Sequence, residues 1–378
     1  MRRFFAVLLI AILSLTAQAD ELAESGDRPV GVHWGVMPVT KFSTDQGITL
    51  GAFTRRFDYG APPESPFHTL LTLQTTYSSK GPRDALIAFE KTGFAGTDLR
   101  FESEFAAFKN PYQNYFGLGD STSYSRDLDS RGFNHYTIEG LVFSNSIRKH
   151  HDFGLDFVLG VTIPYKNLYS NGSNTLYFQE FGDRAVHHFS MRLEIGAIID
   201  RRDSEFIPSR GYRASASLEL APAFLGSDST FQRGELDFRF LVPLIENRWL
   251  LLANQIRYSE CSPGAPITDH VKLGSSGTLR GLPYNRFLSN HSATLRSELR
   301  ALFIRWHLFG MPLKGGTGIF ADTGKIGDTF PRMLTRPFQA AWGITFFGSY
   351  FTDDFLGSAD IGFSKDGMGI YIGLGHAI

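Results

Sequence analysis

The chain has 378 residues, 42% of them hydrophobic, and a formal net charge of −1 at pH 7 from 37 Lys and Arg against 38 Asp and Glu. That balance excludes a protein acting through a general basic field on nucleic acid, and the apolar content without long single-sign runs excludes a disordered chain. One cysteine, Cys261, excludes an internal disulfide; a free thiol placed in a loop is read as incidental.

Residues 1–19 open with Met1-Arg2-Arg3, continue through the apolar run Phe4 to Leu15 and close on Ala17-Gln18-Ala19. This reads as a secretory signal peptide removed before Asp20, because about a dozen apolar residues fall short of the roughly 20 needed to span a bilayer. Residues 20–32 are expected to be a short periplasmic segment. From residue 33 to 378 the chain alternates with period two and shows almost no helical periodicity.

The predicted strands, in order, are 33–41, 46–58, 67–78, 82–92, 97–108, 133–147, 152–163, 187–199, 211–221, 231–243, 248–259, 291–304, 313–323, 337–348, 355–364 and 368–378. In 187–199, Phe189, Met191, Leu193 and Ile195 alternate with Ser190, Arg192, Glu194 and Gly196; in 235–242, Leu236, Phe238, Phe240 and Val242 oppose Glu235, Asp237 and Arg239. A soluble sandwich also alternates, but strands of about ten residues recurring throughout an exported chain are the signature of a transmembrane barrel with lipid-facing apolar and lumen-facing polar side chains. The expectation is an all-β fold, a sixteen-stranded antiparallel transmembrane barrel of the outer-membrane type.

An even count puts both ends of the barrel on the periplasmic side. The short connection at Ile245-Glu246-Asn247-Arg248 is then a periplasmic turn, and the long ones at 109–132, 164–186 and 260–290 are extracellular. The last of these carries Arg280-Gly281, an obligate cation beside a glycine, and is expected to fold into the lumen. Glu298 and Asp322 fall on the polar faces of the next two strands and are the candidate partners of Arg280.

Two segments resemble a known family. Asp200-Arg201-Arg202-Asp203-Ser204-Glu205-Phe206-Ile207-Pro208-Ser209-Arg210-Gly211 resembles the D-x-R-D…P-x-x-G turn of the bacterial surface antigen family, the BamA/TamA type of outer-membrane assembly barrel. Leu279-Arg280-Gly281-Leu282 is similar to that family's loop motif, and Glu298 and Asp322 stand where its members keep acidic residues, in matching order over about the last 180 residues. The resemblance implies a lumen-loop anchor at Arg280, Gly281, Glu298 and Asp322, a periplasmic turn built by Asp200, Arg202, Asp203, Pro208 and Gly211, and a seam between first and last strands that opens. It implies assistance in inserting or translocating proteins or lipids at the bacterial outer membrane. The expected partners are outer-membrane lipid and an unfolded client or a separate periplasmic protein. Family members that assemble other barrels carry periplasmic POTRA domains; the dozen or so residues between Asp20 and the first strand are too few for one. The alternative is a passive pore or a structural barrel.

No enzyme is expected. There is no G-x-S-x-G elbow and no metal-ligand spacing, and the pairs His150-His151 and His187-His188 would point to opposite faces of a strand. No cofactor, metal or nucleic-acid site is read.

Overall fold

Period-two alternation closes a sheet on itself in the computed structural model, which describes residues 30–60, 67–151, 154–182, 185–204, 208–245, 249–308, 311–350, 356–374 and 378. The expected signal peptide and most of the segment after it lie outside the described residues. The strands are β1 (Val32–Ser43), β2 (Gly47–Asp58), β3 (Thr69–Ser78), β4 (Arg83–Lys91), β5 (Leu99–Asn114), β6 (His135–His150), β7 (Leu155–Ser170), β8 (Val186–Phe189), β9 (Arg192–Asp200), β10 (Gly211–Ala221), β11 (Phe231–Pro243) and β12 (Leu250–Cys261). They continue with β13 (Val271–Leu273), β14 (Phe287–Ser289), β15 (His291–Leu308), β16 (Met311–Gly327), β17 (Gln339–Tyr350), β18 (Leu356–Ser364) and β19 (Gly367–Leu374).

All but β13 and β14 form one 17-stranded antiparallel sheet in which β19 returns to β1. β8 and β9 pair one after the other along β7, Tyr165 to Leu168 facing β8 and Leu155 to Thr162 facing β9. They are one barrel strand interrupted at Ser190 and Met191, so the closed sheet is a sixteen-strand barrel. Among the described residues no helix is long and apolar enough to cross a membrane; the wall crosses with strands.

The alternation decides which side chains face out. On β17, Trp342 (62% exposed), Ile344 and Phe346 point outward while Ala341, Thr345, Phe347 and Ser349 are buried. On β15, Leu295 faces outward and Thr294, Arg296, Glu298 and Arg300 face the lumen. A continuous outer surface of this kind is stable only against lipid, since each exposed apolar side chain would otherwise cost about 1.5–3 kcal/mol relative to burial.

Several strands outrun their predicted ends. β5 and β7 extend into the segments read as loops 109–132 and 164–186, β6 runs past 147 to His150, and β15 and β16 exceed 291–304 and 313–323. Above the bilayer a hairpin no longer needs an apolar outer face, so the ladder continues where the alternation stops. Its upper part packs around Tyr115, Tyr136, Leu168 and Tyr177. Cys261 is also corrected: it ends β12 rather than lying in a loop, and it is buried, with Asn290 Nδ2 3.6 Å from its sulfur.

The closure is uneven. β1 pairs with β2 along its whole length, from Val32↔Asp58 to Ser43↔Gly47, but among the described residues it meets β19 at two Cα partners, Phe42↔Ile372 and Ser43↔Tyr371. One further bond, Thr44 N–H to the Ile370 carbonyl at 3.0 Å, extends this seam at the same end. β19 is described from Gly367 to Leu374; residues 375–377 of the predicted 368–378 lie outside the described residues, and Ile378 is buried with Leu241, Leu251 and Ala253.

Candidate functional site: an arginine latch inside the barrel

The connection from β12 to β15 carries its own hairpin, β13 with β14, in register from Val271↔Ser289 to Leu273↔Phe287. Val271, Leu273, Leu279, Leu282 and Phe287 from this connection bury themselves with Ile326 of β16 and Ala341 of β17. Apolar side chains on an otherwise polar loop have no solvent-compatible place, so they draw the connection onto the inner wall. That packing carries Arg280 into the lumen, where it is fully buried.

The Arg280 guanidinium makes a two-pronged contact with Asp322 of β16, Nε to Oδ2 at 2.8 Å and Nη2 to Oδ1 at 2.9 Å, and the Arg280 backbone N–H also donates to Oδ2 at 3.1 Å. Nη1 donates to Glu298 Oε2 of β15 at 3.0 Å. This is the fork geometry for which arginine has no substitute. Burial alone would strip the proton more easily, but the hydrogen bonds to Asp322 and the charges of Asp322, Glu298 and Asp360 more than reverse that, so Arg280 stays cationic.

Four features join the site that sequence reasoning did not name. Asp360 of β18 lies 3.6 Å from Arg280 Nη1, and the Phe320 ring lies 3.5 Å below the guanidinium carbon. Arg300 Nε donates to the second oxygen of Glu298 at 2.8 Å, and Arg296 Nε stands 3.6 Å from Asp322 Oδ1. Two extra cations thus share the carboxylates that hold the first, which offsets the desolvation of a buried cluster. Gly281 has φ +98°, and its backbone lies against that of β18: a Cβ there would meet Gly362 C at 2.7 Å. Gly281 donates to the Tyr371 hydroxyl of β19 at 3.4 Å, and Ser364 donates to the Gly281 carbonyl at 2.7 Å.

The same loop reaches both sides of the seam. Tyr284 N–H donates to Asp45 Oδ1 at 3.0 Å in the β1–β2 turn, while Arg286 Nε donates to Asp366 Oδ2 at 2.6 Å in the β18–β19 turn. Burial pushes the Asp45 carboxyl up to about 6, against the lowering effects of the Tyr284 N–H and Lys80. Besides Lys80, the ionisable groups facing Asp45 are Asp129, Tyr284 and Tyr371. A folded-state value above the ordinary carboxylate value stabilises docking fully in acid and loses that contribution as pH rises through the folded value. Proteolysis at the 262–290 loop is therefore expected to accelerate between about pH 4 and pH 7, and Asp45→Asn to abolish that pH dependence.

At the opposite end of the barrel, the 201–210 turn is held by its acids. Asp200 Oδ1 accepts from Arg202 Nε at 2.9 Å, and Asp203 Oδ1 accepts from the Ser209 N–H at 2.8 Å and the Arg210 N–H at 3.2 Å. Pro208 is buried, and Gly211 has φ +103° with a Cβ position 2.2 Å from the Arg201 carbonyl oxygen. These residues shape a turn and present no reactive group. His150 and His187 bond to Asp156 and Asn167 at 2.5 and 2.6 Å. Among the described residues no group of three or more His, Cys, Asp or Glu could hold a metal ion.

A barrel of this topology, with a buried arginine loop, invites comparison. The Omp85 superfamily domain matches residues 71–330. The chain belongs to the Omp85 superfamily.

Within that superfamily, BamA from Haemophilus ducreyi lacking POTRA domains 1-3 superposes with a TM-score of 0.64 at 12% identity, over 90% of this chain and 70% of that one. CdiB from Escherichia coli gives 0.56 at 10% identity, over 92% of this chain and 63% of that one. CdiB from Acinetobacter baumannii gives 0.50 at 10% identity, over 92% and 60%. This chain thus spans less than two thirds of either CdiB, and at such identities the likeness is one of fold. No curated protein matches. Superfamily and fold together make this a barrel of the bacterial outer-membrane type.

Proposed function

We infer that this chain resides in the bacterial outer membrane and assists the insertion or translocation of proteins or lipids there, without being an enzyme. Its partners in this reading are outer-membrane lipid and an unfolded protein client or a separate periplasmic protein. The observation that carries it is the seam: among the described residues two Cα partner pairs close β1 to β19, where β1 pairs with β2 over its full length. A ladder that short opens at little cost compared with any other strand pair in the wall. An opened edge would offer unpaired backbone to an incoming strand.

The test is a lock. Cysteines replacing Phe42 and Ile372, which are direct Cα partners, in a Cys261→Ser background, stand at a separation an antiparallel pair shares with a disulfide. Liposomes bearing the reduced protein are expected to accelerate folding of an added unfolded barrel, and oxidation to abolish the acceleration. Equal acceleration in both states would exclude an opening seam. A second reading, a passive pore or structural barrel, draws on the polar lumenal cavity of about 760 Å³; steady conductance without acceleration in either state would favour it.

A further inference from the structure

The lumen is only partly filled by the Arg280 loop. Between that loop and strands β1 to β7 remains the cavity of about 760 Å³, which reaches the seam: Lys41, Phe42 and Ser43 of β1 and Tyr371, Ile372 and Gly373 of β19 line it. Its inward-facing side chains carry three cations, Lys41, Lys166 and Lys272, and three carboxylates, Asp45, Asp84 and Asp360.

The carboxylates are occupied. Asp45 accepts the Tyr284 N–H, Asp84 accepts the Thr76 hydroxyl, and Asp360 lies 3.6 Å from Arg280. Of the cations, Lys166 pairs with Asp269 at 3.2 Å. The side chains of Lys41 and Lys272 form no hydrogen bond or ion pair with other described residues.

Lys272 is the more constrained of the two. It sits on β13 of the inserted loop, half-buried, beside a cluster whose anions are already shared. Asp269 holds Lys166 and Arg192, and Glu219 holds Arg192 at 3.3 Å and Arg233 at 3.4 Å. Two carboxylates serve three cations, and Lys272 is a fourth. A desolvated cation surrounded by like charge is stable only if an anion joins it or if it gives up its proton. Burial, then the charge of Lys166, lowers Lys272 to about 8.

We propose that this cavity binds a phosphate group, with Lys272 at its centre and Lys41 facing it from the strand wall, and that the group is the headgroup of a phospholipid admitted at the β1–β19 seam. The hydroxyls of Thr49, Ser78, Ser275 and Ser276 on the same lining supply the neutral donors that a phosphate takes beside cations. The volume suits a headgroup and its glycerol, and the apolar chains would remain in the bilayer outside the seam. The inference shares the opening seam with the insertase reading but requires no client, so headgroup binding without accelerated folding would uphold the one and not the other.

The test uses the purified full chain in an uncharged sugar-based detergent, titrated calorimetrically with dihexanoyl phosphatidic acid and, separately, with inorganic phosphate. Saturable binding of both is expected, tighter for the lipid. Lys272→Met is expected to weaken both by about tenfold or more, the loss that goes with removing one charged hydrogen bond. Lys272→Arg keeps the charge and should keep the binding, which separates loss of the site from loss of the fold. Lys325→Met, outside the cavity lining, should change nothing. Affinity should also fall above about pH 8 as Lys272 loses its proton among Lys166, Arg192, Arg233 and Asp269. Equal affinity for the two ligands would keep the anion site and assign it to free phosphate. No saturable binding, binding unchanged in Lys272→Met, or preference for an acidic peptide such as hexaglutamate over both phosphates would overturn the proposal.

Discussion

Arg280→Ala releases the inserted loop from the barrel wall and abolishes any acceleration of barrel insertion, while the wall itself still forms. The reason is an asymmetry of charge. The alanine removes one cation and leaves Asp322, Glu298 and Asp360 within a few ångströms of one another in a site with almost no exposure. Breaking such a cluster typically costs about 3–5 kcal/mol, most of it from the charges left unpaired. Arg296 and Arg300 neutralise part of the deficit through Asp322 and Glu298, and Arg296 also donates to the loop carbonyls of Ser276 at 2.9 Å and Gly277 at 3.3 Å, but neither replaces the two-pronged Arg280 contact that fixes the loop at 280–281, so electrostatic repair does not restore docking there. Arg280→Lys is expected to recover little, because a point charge cannot make the two parallel bonds to Asp322. Pairing Arg280→Ala with Asp322→Asn should recover part of the loss, since the second change removes a charge the first left stranded. Limited proteolysis at 262–290 reads loop docking, and the shift in electrophoretic mobility on heating reads the barrel. Loss of the folded barrel in Arg280→Ala, or a loop still protected, would each contradict this account.

What was legible in the sequence follows from periodicity. Glu298 and Asp322 could be placed on the lumen face because alternation assigns every second residue of a barrel strand to one side, and Leu295 and Ile319 do face outward between them. The same rule puts Asp360 in the lumen, but nothing local brings β18 to Arg280; only closure of the sheet does. Phe320 was harder still, since an aromatic ring on a lumenal face contradicts the polar-inside pattern until the guanidinium above it is seen. The contacts that tie the loop across the seam, Tyr284 to Asp45 and Arg286 to Asp366, join residues 239 and 80 positions apart with no spacing to mark them. The upper ends of β5 and β7 were missed for a related reason: alternation records the lipid, and these two strands continue beyond it.

Gly281 and Gly362 should prove as sensitive as Arg280 although neither carries a charge. The two backbones touch: a Cβ on Gly281 would stand 2.8 Å from Phe363 N, and one on Gly362 would stand 2.7 Å from the carbonyl oxygen of Arg280. Neither neighbour is the end of a flexible side chain, so one element must move, and Gly281 adds the strain of φ +98° for any residue with a Cβ. Strain of this class costs about 1–3 kcal/mol before the clash is counted. Gly281→Val is therefore expected to undock the loop as fully as Arg280→Ala, and Gly362→Ala to do so from the wall side with the loop sequence intact. Gly182→Ala isolates the backbone term, because Gly182 has φ +75° but nothing within 4 Å of its Cβ position. Proteolytic half-life of the loop should then fall in the order Gly182→Ala, Gly362→Ala, Gly281→Val, the last the most labile. Combining the two latch substitutions should add little to the worse of them, since both break the same contact. Full additivity would mean that Gly281 and Gly362 act at separate places and that the loop is not held by their approach.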